Sequence, residues 1–393
     1  MSFTQLPANA TLSLKPFKVD IPDATLDELR TLLKYAKLAP ETYEGSFEDR
    51  KYGVTNRWIR EARDVWATKF DWRKHEAGVN SFPNYITTIE DGGTDFNVHF
   101  VALFSEKADA IPLILLHGWP GSFLEFLSIL AIMRERYTPS SLPYHLIVPS
   151  MPGYAFSSPP PADRDFDKID VARIYNKLMV GLGFGGGYVA QGGDVGSFIA
   201  RILSGQYESC KAVHLNFSTA VLPYTGLQPV EELSTNEQRG VARASEFQKT
   251  GIAYAIEQST RPATLGIVLS SSPVAFLAWI GEKFLDWSDV DPPLDHILTC
   301  ATLYWVTECI ATSFYPYRQK TAQHSDPEWR ITKPLGYSCF PKELFPMPES
   351  WVATTGNLVF YKAHDKGGHF AAVEQAEVLL EDVEAFIKQV WKP

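Results

Sequence analysis

The chain has 393 residues, of which 45% are hydrophobic, 13% aromatic and 21% charged. A chain of this length buries roughly three quarters of its unfolded surface, and its apolar and charged fractions exclude a disordered chain or a fibrous repeat. The 36 basic and 46 acidic residues leave a formal net charge of −10, and without clustered Lys and Arg no nucleic-acid surface is expected.

Residues 1–105 read as a mixed, irregular segment. Thr25-Leu-Asp-Glu28 has the form of a capping box ahead of a helix through Leu33. Trp58–Phe70 carries apolar residues at helical spacing. Ile86–Ile89 and Phe96–Phe104 read as strands on either side of an Asp-Gly-Gly turn at Asp91–Gly93. The segment has too few apolar runs for a core of its own, so it is expected to drape over a larger body.

From Ile111 the pattern becomes strand, glycine-containing loop, helix, repeated. Ile111–Leu116 is a continuous apolar run of the kind a buried parallel strand requires. A helix over Phe123–Tyr137, a strand over His145–Val148 and a helix over Asp170–Leu182 follow. Tyr188–Gln191 reads as a strand, with a helix from Ser197 through Ser204, and Ala212–Phe217 as a further strand. Such alternation predicts a mostly parallel sheet with helices on both faces. The alternation stops at Val221. Residues 222–320 have helical character, interrupted by Pro262, Pro273 and Pro292–Pro293. Strands return at Pro334–Phe340 and Leu358–Lys362, and an amphipathic helix runs from about Glu374 to Trp391. The expected organisation is an N-terminal meander over 1–105 packing on core and cap, a core over 106–221 and 321–393, and a helical cap over 222–320.

The four cysteines, Cys210, Cys300, Cys309 and Cys339, form no CxxC pair. Zinc or thioredoxin-type chemistry is not expected from them, and they read as reduced and packed. The opening MSFTQLPANATLSLKPF lacks the charged-then-apolar order of a signal segment. Apolar runs such as Pro273–Ile280 fall short of the ~20 residues that span a bilayer. A cytoplasmic protein without a membrane segment is expected.

Gly192-Gly193-Asp194-Val195-Gly196 stands between a predicted strand and a predicted helix. Small residues around one functional residue at such a turn make a nucleophile elbow. The glycines permit close packing, and the helix N-terminus favours an anion. His117-Gly-Trp-Pro-Gly-Ser122 follows the first buried strand. In α/β-hydrolases that loop supplies one backbone N–H of an oxyanion hole and the residue after the nucleophile supplies the other; here these are Trp119 and Val195. Of nine histidines, His75 and His99 precede the parallel region, His214 lies in a strand, and His296 and His324 lie in or near the helical insertion. His369, in Gly367-Gly368-His369-Phe370, occupies the loop between the last strand and the last helix, where the order nucleophile, acid, histidine puts the base. His364 competes with it. The acid is expected between Phe340 and Pro348, where Glu343 is the carboxylate; Asp365 is nearer in sequence but shares the histidine's loop.

These motifs together resemble the α/β-hydrolase-fold epoxide hydrolases, in the soluble fungal form of the microsomal-type branch. The resemblance spans nearly the whole chain: Pro16-Phe-Lys-Val-Asp-Ile-Pro22-Asp23, HGWPGS, Pro149-Ser-Met-Pro-Gly-Tyr-Ala-Phe-Ser157, QGGDVGS from Gln191 and GGHFAA from Gly367. Two departures are Val195, where many relatives have Trp, and Ala155, where many have Gly. The resemblance implies an α/β-hydrolase fold with a helical cap, hydrolysis of an epoxide by water to a vicinal diol through an ester on Asp194, and no metal or organic cofactor. It also implies a homodimer and two cap tyrosines at the epoxide oxygen, whose positions fall on Tyr254 and Tyr317. By sequence, Tyr304 and Tyr315 are equal candidates. A haloalkane dehalogenase would share the Asp elbow and histidine but lack the tyrosine pair. A non-catalytic binding protein of the same fold would have lost Asp194, Glu343 or His369.

Overall fold

The computed structural model describes residues 2–219, 227–319 and 327–392. Val221, His324 and the junctions at 221/222 and 320/321 lie outside them. Nine strands form one sheet: β1 (Lys15–Phe17), β2 (Asn84–Asp91), β3 (Thr94–Leu103), β4 (Ile111–Leu116), β5 (Tyr144–Pro149), β6 (Tyr188–Gly192), β7 (Cys210–Leu215), β8 (Ile331–Cys339) and β9 (Gly356–Ala363). Their spatial order is β1-β2-β3-β5-β4-β6-β7-β8-β9. The strands from β5 to β9 pair in parallel, and β1, β2, β3 and β5 pair antiparallel. The continuous apolar run of β4, apart from the half-buried Ile111, and all of β6 are buried, because helices cover both faces. Strand order reverses at β4, whose neighbours β5 and β6 are reached by crossovers on opposite sides. A crevice opens at the carboxyl ends of strands flanking such a switch point.

The N-terminal segment differs from the expectation in three ways. Its strands do not lie over the sheet; they extend it, because β3 pairs with β5 through Phe100–Leu103. The β2–β3 hairpin turns at Gly92 and Gly93, both at positive φ (59° and 80°), as a two-residue turn matched to strand twist needs. Helix α1 runs Asp23–Tyr35 from Pro22 and has no side-chain cap, so Thr25 and Glu28 lie inside it and form no capping box. After α2 (Asn56–Thr68) comes an unanticipated helix, α3 (Trp72–Asn80). It starts where Asp71 accepts the Arg73 N–H, a cap that the apolar spacing ending at Phe70 obscured.

Helix α4 (Leu127–Arg136) covers one face of the sheet, and α5 (Lys168–Met179) and α6 (Asp194–Gln206) the other. Between β7 and β8 lie α7 (Thr235–Thr250), α8 (Ala253–Thr260), α9 (Pro262–Ser270), α10 (Pro273–Trp287) and α11 (Leu294–Val306). The prolines of this region mark helix starts: Pro262 and Pro273 open α9 and α10, and Pro293 caps α11. Short helices α12 (Glu349–Thr354) and α13 (Ala371–Glu374) precede α14 (Ala376–Val390). α14 buries Leu379, Leu380, Val383, Phe386 and Ile387 on one stripe and packs beside α4. Among the described residues no single helix is long and apolar enough to cross a membrane.

Candidate active site

Asp194 opens α6 immediately beyond β6 with φ +43°. A left-handed conformation costs an L-residue roughly 1–2 kcal/mol, so it persists only where the surroundings impose it. Here the neighbours leave no alternative. A Cβ on Gly192 would lie 2.4 Å from the Gly196 carbonyl oxygen, and one on Gly196 would lie 2.2 Å from that of Leu116. The start of α6 is thus pressed against the end of β4, and the carboxylate projects at the crevice.

The loop after β4 meets it there. A Cβ on Gly118 would lie 2.2 Å from Asp194 Oδ1. Its absence lets the Trp119 N–H donate to that oxygen at 2.7 Å. Val195, next along α6, contributes a first-turn amide that has no acceptor within the helix. His117 fastens this loop: its Nε2 accepts the Met151 N–H at 3.1 Å, and its Nδ1 lies 3.1 Å from the Gly118 carbonyl oxygen. Burial pushes its pKa down to about 4, so the ring is neutral with the proton on Nδ1.

His369 lies opposite. Its Nδ1 is 2.5 Å from Glu343 Oε1 and its Nε2 is 3.5 Å from Asp194 Oδ2. Glu343 is 1% exposed, and its Oε1 also accepts the Leu344 N–H at 2.6 Å. The two loops are tied by the Lys342 N–H to the Gly367 carbonyl at 3.0 Å, and the His369 N–H donates to the Trp287 carbonyl at 2.9 Å. Gly367 has φ +102°, which a side chain would oppose. Burial disfavours the imidazolium, but the Glu343 charge and the hydrogen-bonding partners Asp194 and Glu343 outweigh it and raise the pKa to about 10. Glu343 and Asp194 thus favour the protonated ring.

The competing candidates are engaged elsewhere. His364 Nε2 is 2.6 Å from Asp382 Oδ2, and Asp365 lines an outer cleft. Tyr304 donates its hydroxyl to the Gly121 carbonyl at 2.7 Å, and Tyr315 to that of Pro152 at 3.1 Å. Tyr254, on α8, stacks on Trp119 with ring centres 5.5 Å apart. Tyr317, in the short helix Tyr315–Arg318, meets the same indole edge-on at 5.9 Å. Burial raises both phenol pKa values well above 10, with Asp194 the next contributor at Tyr254, and Tyr254 and then Asp194 the next at Tyr317. The two hydroxyls shift each other's ionisation, and Tyr317 Oη is buried without a hydrogen-bond partner. The structure thus brings Asp194, Glu343, His369, Tyr254, Tyr317, Trp119 and Val195 to one crevice.

Sequence reading missed the aromatic wall: Phe217 and Trp287 lie 5.6 and 5.0 Å from the His369 ring, and Phe345 meets Phe217 at 6.1 Å and Phe247 at 5.5 Å. No local pattern marks these residues, which come from four separate segments. Among the described residues no group of three or more His, Cys, Asp or Glu has the geometry of a metal site.

A parallel sheet with a switch at β4, an elbow after β6 and a buried histidine after the last strand define an α/β hydrolase. Residues 111–261 match the alpha/beta hydrolase fold model, and residues 14–126 match the model for the epoxide hydrolase N terminus. A Dothistroma septosporum protein assigned as an epoxide hydrolase is 43% identical over 391 residues, covering 98% of this chain and 92% of its own. Epoxide hydrolase 1 of Sus scrofa is 31% identical, covering 95% of this chain and 88% of its own. The structure of Aspergillus niger epoxide hydrolase is similar over 100% of both chains, with a TM-score of 0.95 and 51% identity. The chain belongs to the epoxide hydrolase family. It is an enzyme that hydrolyses the ether bond of a small-molecule epoxide with water.

Proposed function

We propose that this enzyme opens its epoxide by forming a covalent ester on Asp194, which water activated by His369 then hydrolyses. The observation that carries the reading is the division of the Asp194 carboxylate: Oδ1 is held by the Trp119 N–H, and Oδ2 faces His369. The free oxygen attacks a saturated epoxide carbon, the carbon–oxygen bond of the ring breaks, and the departing oxygen takes a proton from Tyr254 or Tyr317. Both phenols are neutral acids at pH 7, as this role requires.

Alkylation also changes the histidine. Esterified Asp194 carries no charge, so one of the two carboxylates that hold the imidazolium is lost. His369 gives its proton to the tyrosinate left by ring opening, which restores the phenol, and becomes a neutral base of lower pKa oriented by Glu343. It takes a proton from water, and the hydroxyl oxygen adds to Cγ of Asp194. The resulting oxyanion develops at Oδ1, beside the Trp119 and Val195 amides. Collapse breaks the Cγ–O bond to the substrate, the alkoxide leaves as diol after taking the proton back from His369, and the Asp194 carboxyl passes its remaining proton to His369, which restores the starting carboxylate and imidazolium. The aromatic wall suits an apolar substituent on the epoxide.

The same reading takes residues 222–320 as a cap on a core of 106–221 and 321–393, with 1–105 as an extension. It is supported by Tyr254 and Tyr317, which reach the crevice from between β7 and β8. A cytoplasmic location away from membranes accords with four free cysteines. A homodimer rests on the family resemblance alone.

An isotope experiment tests the route. With enzyme in excess in ¹⁸O-water, the ester route yields an unlabelled first diol and label in Asp194. Label in the diol at the first turnover would mean that Asp194 only activates water, and would overturn the proposal.

A further inference from the structure

A cavity of about 20 Å³ lies behind the Asp194 carboxylate, lined by Gly118, Glu125, Asp194, Asn216 and His369 among others. It is large enough for one water molecule, which needs ~10–15 Å³ and two to four polar partners. Asn216 spends its Oδ1 on the Gln191 amide at 2.8 Å, and its Nδ2 would stand 2.8 Å from a Cβ on Gly193. Glu125 is only half-buried as a residue, but its carboxyl end packs inward: a Cβ on Gly121 would lie 1.3 Å from Glu125 Oε1. Glycine at 121 is therefore a condition for this carboxyl to occupy its place. The chemistry proposed above gives Glu125 no role.

We propose that Glu125 positions the hydrolytic water in this cavity, accepting a hydrogen bond from it while His369 takes its other proton and Asn216 helps to confine it. The inference rests on the ester route. Water held here stands beside Cγ of Asp194, away from the cap tyrosines and the aromatic wall, so ester formation does not displace it. Glu125 neither gives nor takes a proton: the proton lost by water goes to His369, and the oxygen goes to Cγ. Burial, followed by the opposing influences of the His369 and Asp194 charges, pushes the Glu125 carboxyl up to about 8. It is mostly neutral at pH 7, so it accepts a hydrogen bond without adding another negative charge beside Asp194. The Ser122 backbone opposes the effect of burial on this carboxyl, and a purely structural role would end with that helix-start contact.

Rapid-quench single turnovers with styrene oxide separate the two steps. In Glu125→Ala, ester formation should stay within about threefold of wild type, while ester hydrolysis should slow on the order of 10²-fold, the cost of a misplaced reactant. The ester should then accumulate, with intact mass raised by one substrate mass. Glu125→Gln keeps the shape and an accepting oxygen and should recover most of the hydrolysis rate; it also serves if Glu125→Ala does not fold. Unchanged ester hydrolysis in folded Glu125→Ala, or equal slowing of both steps in either variant, would overturn the proposal. A His369→Gln enzyme that never accumulates ester would overturn the covalent reading beneath it, and with it this inference.

Discussion

Two histidines five residues apart in this chain each pair with a buried carboxylate, and they have different fates. His369 pairs with Glu343 at 2.5 Å and keeps its other nitrogen 3.5 Å from Asp194, with a small cavity alongside. His364 pairs with Asp382 at 2.6 Å; Asp382 also accepts from Ser338 at 2.6 Å and forms an ion pair with Lys362 at 2.9 Å. The second network contains serine, histidine and aspartate, the residue types of a hydrolytic triad. Ser338, however, bonds the aspartate and approaches His214 at 3.2 Å, and His364 stacks on Phe340. Ser338 and Asp382 are fully buried. A reactive constellation differs from a structural one by an unspent nitrogen facing a nucleophile with room for substrate, not by its residue types.

The sharpest break of that comparison is at Asp194. Asp194→Ala should lose activity by roughly 10⁵–10⁶-fold, as nucleophile removal does elsewhere, and should show no covalent adduct by mass. His369→Gln should form the adduct without turning over. By contrast His364→Gln should retain most turnover per folded molecule; a loss matching that of His369→Gln would erase the distinction drawn here.

The tyrosines come next. Tyr254→Phe or Tyr317→Phe alone should leave partial activity, because the other phenol still donates. The double variant should slow ester formation by about 10²–10⁴-fold with little change in ester hydrolysis, read in single turnovers. Full activity in the double variant would remove both from the mechanism.

On the structural side, Asp382→Asn should cost about 1.5–3 kcal/mol of stability, because the buried Ser338 hydroxyl and His364 lose a charged acceptor; denaturant unfolding measures this. The two networks also guard opposite ends of the pH range. The folded-state pKa of His369 is raised, so its contribution is full below the unfolded value of 6.5 and is lost as pH rises through about 10. Burial raises the pKa of Asp382, but His364, Ser338 and Lys362 prevail and lower it. Its contribution is present above the unfolded value of 3.8 and is lost as pH falls through the lower folded value. Stability against pH should therefore flatten on the alkaline limb in His369→Gln and on the acid limb in Asp382→Asn. In Asp194→Asn, an uncharged stand-in for the ester, NMR titration should find the His369 pKa below that of wild type.

The smallest effect concerns Ala155, which sits at φ +47° in the loop that His117 fastens through Met151. Ala155→Gly should relieve left-handed strain and stabilise the protein by about 1 kcal/mol, seen as a modest rise in thermal midpoint with unchanged kcat/KM.

Much of this protein is legible along the chain because the relevant physics is local. The buried runs of β4 and β6, the elbow at Gly192–Gly196 and the loose Gly367-Gly368-His369 segment are contiguous signals of backbone conformation, and they located Asp194 and His369. The helix at Trp72–Asn80 escaped because a cap, not apolar spacing, begins it, and the supposed capping box at Thr25 failed because α1 starts from Pro22. What only the tertiary structure decided are meetings between distant segments. Tyr254 and Tyr317 part from Tyr304 and Tyr315 because the latter two hydroxyls find backbone carbonyls. His369 parts from His364 because Asp382, on α14, reaches the latter first. The aromatic wall and the Glu125 carboxyl depend on loops and helices closing over the carboxyl ends of β4 and β6. Sequence order carries backbone preference residue by residue, but which buried polar group finds a partner, and which is left free to react, is settled by packing among elements that lie from 18 to 183 residues apart in these cases.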